Sequence, residues 1–356
     1  MTWQYSKDIC IERMKLNKNN PLYREDLQYV ISTKGADRLK GKTVLITGAT
    51  GLIGLQLIDS LMLAGDIRVI AIGRSREKAA DRLGEHFGNS LFQFLEQDVC
   101  RPFPDGICAD YIIPLASNTH PLVYSQFPVE TVHTNVLGAK NALELAAKCG
   151  AAVLYPSSVE IYGNARGSDI FTEDYTGSLD LSTPRSCYTE SKRACEALCQ
   201  SYAAEYGVCV KIARLSRVFG PTMLESDTKA SSQFILKALA GEDIVLKSEG
   251  NQYFSYTYVA DAAAALLHIL LNGENGQAYN VASEGCNVHL KDFAAACARI
   301  CGKQVIFDIP GSAEAKGYSI ASRAILSCDK LAGIGFKAKY ELDNALERTV
   351  EIMNVG

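Results

Sequence analysis

A chain of 356 residues that is 47% hydrophobic and 21% charged can bury a full core, enough for one large α/β unit with a smaller second lobe. Its net charge of -4, with no Lys/Arg cluster, excludes nucleic acid as a main partner, because phosphate binding needs a concentrated basic face.

Residues 1–40 form a polar N-terminal extension, with a turn over 17–21 and a helix expected over 21–33. Lys7, Asp8, Glu12 and Arg13 leave no apolar signal-peptide core there, so a cytoplasmic location is expected. An apolar run over 43–46 reads as a buried parallel strand and 55–63 has helical periodicity. Between them lie Gly48, Thr50, Gly51, Leu52, Ile53 and Gly54, a strand-to-helix turn. Missing Cβ atoms there let backbone amides approach a pyrophosphate, and the helix N-terminus adds partial positive charge. The turn therefore points to a bound dinucleotide.

Further strands over 69–72, 91–95, 111–115, 152–155 and 208–213 alternate with helices, which predicts a Rossmann-like, doubly wound parallel sheet. A helix through 192–198 carries Tyr188 and Lys192, four residues apart and therefore on one face. An ammonium beside a phenol stabilises the phenolate and brings a weak base toward neutral pH. Beyond Pro221 come a polar loop, a helix over 232–240 and a strand over 244–246. A helix over 261–271 packs on the main sheet. Its apolar run, 262–271, is broken by His268 and too short to span a bilayer. Helices over 292–301 and 343–353 belong near the second lobe. The expected division is thus 1–40 as extension, 41–215 plus about 253–280 as dinucleotide-binding domain, and about 216–252 plus 281–356 as an interleaved substrate lobe. Twelve scattered cysteines, with neither a CxxC pair nor His-rich spacing, read as free and mostly buried thiols with no metal site.

From Lys42 onward the chain resembles the extended short-chain dehydrogenase/reductase superfamily, in its nucleotide-sugar epimerase, dehydratase and decarboxylase branch. The resemblance rests on the glycine turn and the Tyr-Lys pair. It extends to Asp98-Val99, Leu115-Ala116-Ser117, Asn135-Val136-Leu137-Gly138, Ser157-Ser158-Val159-Glu160-Ile161-Tyr162-Gly163, Phe219-Gly220-Pro221 and Tyr256-Thr257-Tyr258-Val259-Ala260-Asp261. Arg185-Ser186-Cys187-Tyr188 and the stretch 115–135 look most like UDP-glucuronate decarboxylases. The chain departs from the pattern at Phe254, where many relatives carry a substrate-facing arginine, and at Arg217, which replaces a usual asparagine. Val159 stands where the dTDP-glucose dehydratases carry an acid-donating aspartate.

The resemblance implies a homodimer and a nucleotide-sugar substrate oxidised transiently at C4. Tyr188 would take the hydroxyl proton while hydride passes to the nicotinamide. Lys192 would lower the tyrosine pKa and bind the nicotinamide ribose, and Ser158 would share a hydrogen bond with the substrate oxygen. Glu160 would serve decarboxylation or dehydration, with Arg185 and Arg217 as cations for a carboxylate or the diphosphate. Asp98, Val99, Leu115, Ala116 and Ser117 would line the cofactor cleft. Strand two ends at Arg74 without the acid that bonds the adenosine ribose in NAD enzymes, and Arg74 suits a 2′-phosphate. NAD is nevertheless expected, because the hydride returns to the same substrate, and NADP is the alternative. A 4-epimerase is the close alternative activity. An NADP-dependent reductase and a non-catalytic dinucleotide-binding protein are more distant ones.

Overall fold

The computed structural model describes residues 16–164, 170–309 and 323–353. Its strands, in chain order, are β1 (Thr43–Thr47), β2 (Arg68–Gly73), β3 (Phe92–Glu96), β4 (Tyr111–Pro114), β5 (Ala152–Ser158), β6 (Val210–Leu215) and β7 (Arg217–Phe219). They continue with β8 (Ile244–Leu246), β9 (Tyr253–Tyr258), β10 (Ala278–Val281), β11 (Asn287–His289), β12 (Val305–Phe307) and β13 (Arg323–Ala324).

Seven of these form one parallel sheet in the order β10-β6-β5-β4-β1-β2-β3. That is the doubly wound order extended by one strand. β1 shows why its sequence is a continuous apolar run. Val44 and Ile46 face one core, with the helices Leu52–Ala64 and Val259–Asn272. Leu45 faces the other, with Pro128–Cys149 and Ser186–Tyr206. Helices make the crossovers from β1 to β2, β2 to β3, β4 to β5 and β5 to β6, whereas β3 passes to β4 through a loop, and a helix-lined core lies on each face of the sheet. The expected α/β architecture is present, and the chain order reverses at β1 and β4, which opens a crevice at the carboxyl ends of those strands.

A smaller sheet joins β11, β9 and β13, with β7 also paired to β9, and β8 pairs with β12. Within the span 253–280, β9 thus belongs to the smaller sheet, whereas the helix Val259–Asn272 and β10 lie with the main one. Parallel pairing of Arg217 with Tyr256 is a long-range choice that local pattern does not disclose.

The helix expected over 21–33 forms over Pro21–Ile31, opened by an Asn20 side chain that accepts from the Leu22 amide and by Pro at its first position. It packs inside this chain. Asp26 accepts from Arg348 and from the Tyr258 and Tyr340 hydroxyls, and Tyr23 donates to Asp59 at 2.7 Å. Residues 1–15 of the extension lie outside the described residues. The described cysteines form no disulfide, yet only Cys195, Cys199, Cys286 and Cys297 are buried; Cys108 is exposed, so burial is less general than expected. Among the described residues no helix is long and apolar enough to cross a membrane.

Candidate active site

Gly48, which follows β1, has φ of +66°, and a Cβ there would lie 2.8 Å from the Ala116 backbone nitrogen. A Cβ on Gly54 would lie 2.4 Å from the Gly48 carbonyl oxygen. Both positions therefore admit only glycine. The turn hugs the loop after β4 and the amides of the helix Leu52–Ala64 point into the crevice, a cradle suited to a dinucleotide pyrophosphate.

One cavity of about 1230 Å³ runs from this cradle to the second lobe. Its walls include Gly48, Thr50, Gly51, Leu52, Ile53, Gly54, Arg74, Asp98, Val99, Leu115, Ala116 and Ser117 at the dinucleotide end. The same walls carry Ser158, Glu160, Arg185, Tyr188 and Arg217. Thus seventeen of the eighteen residues singled out from sequence gather on one surface. Lys192 is the exception. Its Nζ donates to the Pro156 carbonyl at 2.8 Å and lies over the Tyr155 ring, 6.0 Å from the Tyr188 ring centre. It borders a separate void of about 10 Å³, behind Ala116 and Asn135.

Tyr188 is buried on the helix Ser186–Tyr206. Burial pushes its phenol above the ordinary tyrosine range, the Ser158 hydrogen bond works against that, and the Glu160 charge adds to it. The Lys192 ammonium, expected to lower this pKa, points at the Pro156 carbonyl and lies 6.0 Å from the Tyr188 ring centre. Burial in turn pulls Lys192 down to about 8. Ser158 ends β5, where its Oγ accepts from the Glu160 amide at 3.2 Å and caps a short helical turn.

Glu160 and Arg217 are not separate candidates but partners: Arg217 Nη2 donates to Glu160 Oε1 at 3.2 Å. The guanidinium lies 3.6 Å above the Phe254 ring centre. Its Nη1 is buried with no hydrogen-bond partner among the described residues. The cation that position 254 lacks is therefore delivered over that position from β7. Arg185 stands at the start of the Tyr188 helix. Arg74 is ion-paired to Glu130 at 2.9 Å on the surface, so its charge is already shared.

Two features escaped the sequence reading. Tyr124 stacks on Tyr188 with ring centres 5.5 Å apart. Ser117 donates to Asn135 at 2.6 Å, Asn135 donates to Ser191 at 2.8 Å, and Ser191 donates to the Tyr188 carbonyl at 2.9 Å, tying the β4 loop to the helix Ser186–Tyr206. The Asn135 motif was visible, but its partners lie 18 and 56 residues away.

Residues 44–282 match the model of the NAD dependent epimerase/dehydratase family. The chain is 34% identical over 242 residues to UDP-glucuronic acid decarboxylase 6 of Arabidopsis thaliana, covering 68% of this chain and 69% of that protein. It is 36% identical over 234 residues to UDP-glucuronic acid decarboxylase 1 of Xenopus tropicalis, covering 64% of this chain and 53% of that one. The fold is similar to UDP-glucuronic acid 4-epimerase from Bacillus cereus in complex with UDP-glucuronic acid and NAD, with a TM-score of 0.72 at 20% identity over 87% of this chain and 98% of that one. With a family match that spans most of the chain and a glycine cradle that a Cβ would fill, this chain belongs to the NAD dependent epimerase/dehydratase family.

Proposed function

We propose that this chain oxidises a nucleotide sugar at C4 and then decarboxylates it, with UDP-glucuronate the leading substrate. The observation that carries the reading is the Glu160–Arg217 pair in the same cavity as Ser158 and Tyr188, with one guanidinium nitrogen buried and unpartnered. A guanidinium with an unused face suits a second carboxylate. The kinship to UDP-glucuronic acid decarboxylases supports a C6 carboxylate as that group.

Residues 48–54 would hold the pyrophosphate, and Asp98, Val99 and Leu115 to Ser117 the adenosine side of the cleft. Bound in its oxidised form, NAD supplies the hydride acceptor and a positive ring. Tyr188 acts as its phenolate, the form that the positive ring and the Lys192 ammonium would favour, so that its Oη takes the proton of the C4 hydroxyl while Ser158 Oγ hydrogen-bonds the same oxygen. The resulting C4 ketone is β to the C6 carboxylate, so the C5–C6 bond breaks, carbon dioxide leaves, and the electron pair passes into the C4 enolate. Arg217 fixes the carboxylate before it leaves. Glu160 holds the guanidinium and positions the proton source that completes C5. Lys192, one helical turn from Tyr188, keeps a cation beneath the phenol.

A plain 4-epimerase is the second reading. It is favoured by the closure of Glu160 onto Arg217, since a paired carboxylate is a weaker base. Proton NMR and mass spectrometry on the protein incubated with UDP-glucuronate decide between them. Loss of carbon dioxide is expected. Inversion at C4 without mass change would assign the epimerase, and no turnover of UDP-, dTDP-, GDP- or CDP-sugars would sink both.

A further inference from the structure

A second polar corner of the cavity takes no part in these steps. His120 comes from the loop after β4, and Asp227, Thr228 and Lys229 from the segment that precedes the helix Ala230–Leu239. Asp227 is 2% exposed, with His120 Nδ1 at 3.0 Å from one carboxylate oxygen and Lys229 Nζ at 3.3 Å from the other. The Lys229 amide adds a third donor at 2.9 Å. Burial alone would raise the Asp227 carboxyl, but His120 and Lys229 hold it well below the usual carboxylate range.

The Asp227 carboxylate at 3.0 Å and the Thr228 amide at 3.4 Å both meet Nδ1 and fix the imidazole ring, and Nε2 has no partner among the described residues. His120, Thr228 and Lys229 all line that cavity. Independently, the Thr228 hydroxyl is buried with no hydrogen-bond partner among the described residues. Such a group is costly unless a ligand takes it. The corner is also close to the chemistry. The Tyr124 amide donates to the His120 carbonyl at 3.1 Å, and the Tyr124 ring stacks on Tyr188.

We infer that His120, Thr228 and Lys229, organised by Asp227 across the two lobes, form an anion-binding corner that takes an anionic oxygen of the bound nucleotide sugar. This rests on the nucleotide-sugar reading above. Two parts of such a substrate carry that oxygen, the diphosphate and a C6 carboxylate.

The test measures binding of UDP, UDP-glucose and UDP-glucuronate by calorimetry to the full chain carrying Tyr188→Phe, which blocks turnover. Thr228→Val, which keeps the side-chain shape, and His120→Gln are then added singly. Each is expected to weaken binding about 10-fold, as for a lost hydrogen bond to a charged group. NADH fluorescence and melting temperature should stay as in the parent. Equal losses for all three ligands assign the diphosphate; a loss confined to UDP-glucuronate assigns the carboxylate. Unchanged affinity for every ligand in both variants overturns the inference alone. A parent that binds none of the three overturns the nucleotide-sugar reading and the corner with it.

Discussion

Tyr188 and the Glu160–Arg217 pair make different demands on their surroundings, and their variants should separate. Tyr188→Phe removes only the hydroxyl, so turnover should fall by about 10²–10⁴-fold while NADH binding, followed by fluorescence, stays unchanged. Retained turnover would remove Tyr188 from the proton transfer. Arg217→Lys keeps the charge but loses the planar stack on Phe254 and the second nitrogen. The KM for UDP-glucuronate should rise about 10-fold, with a smaller effect on UDP-glucose in a binding assay; equal effects on both would assign Arg217 to the diphosphate. The tyrosine and the glycines were legible in sequence because their chemistry is carried by spacing within one turn. The Arg217–Glu160 pair was not. Its members are 57 residues apart, and the register that lays β7 along β9 decides where the guanidinium lands. The same holds for Tyr124 on Tyr188, and for Lys192, whose helical position was evident but whose hydrogen bond to Pro156 depends on the strand beneath it.

At the scale of elements, the helix Pro21–Ile31 shows how local signals fix an element without fixing its role. Asn20 and Pro21 announce the helix start, and nothing in the sequence says that the face bearing Asp26 will meet the last helix, Leu342–Met353. There Arg348 donates to Asp26 from Nε at 3.1 Å and from Nη2 at 2.7 Å, with the carboxylate fully buried. Removing one member of a buried pair leaves the other charge uncompensated. Arg348→Ala should therefore cost about 3–5 kcal/mol of folding stability in denaturant titrations. A cost below about 1 kcal/mol, the range of exposed pairs, would show that the contact is dispensable. The alternating strands and crossover helices of the main sheet were readable because a buried parallel strand is apolar on both faces. The aromatic β9 carries the same strand signal, but the identity of its sheet is set by partners far along the chain.

On the scale of the whole molecule, the first and last described segments close on the helix Val259–Asn272, and the closure contains buried acids that respond to pH. Asp261, 1% exposed, accepts from the Tyr29 hydroxyl at 2.8 Å and from the Lys339 and Tyr340 amides at 2.7 and 3.0 Å. Burial outweighs these donors and raises its carboxyl from 3.8 to about 6; Asp26 is raised as well, again by burial. For an acid raised on folding, the native state binds the proton more tightly than the unfolded chain does. The stability due to protonated Asp261 is thus complete below pH 3.8 and declines as pH climbs to about 6, above which the slope vanishes. Acids held low in the native state, such as Asp110 and Asp227, slope the other way, so the total curve does not isolate this contribution. The difference from Asp261→Asn does. The amide brings a constant offset from its altered hydrogen bonds, and on top of it the variant should gain on the native chain by on the order of 2 kcal/mol between pH 4 and pH 7. Paired denaturant titrations at those values provide the measurement, and a difference that stays flat would mean that Asp261 titrates alike in the folded and unfolded chain.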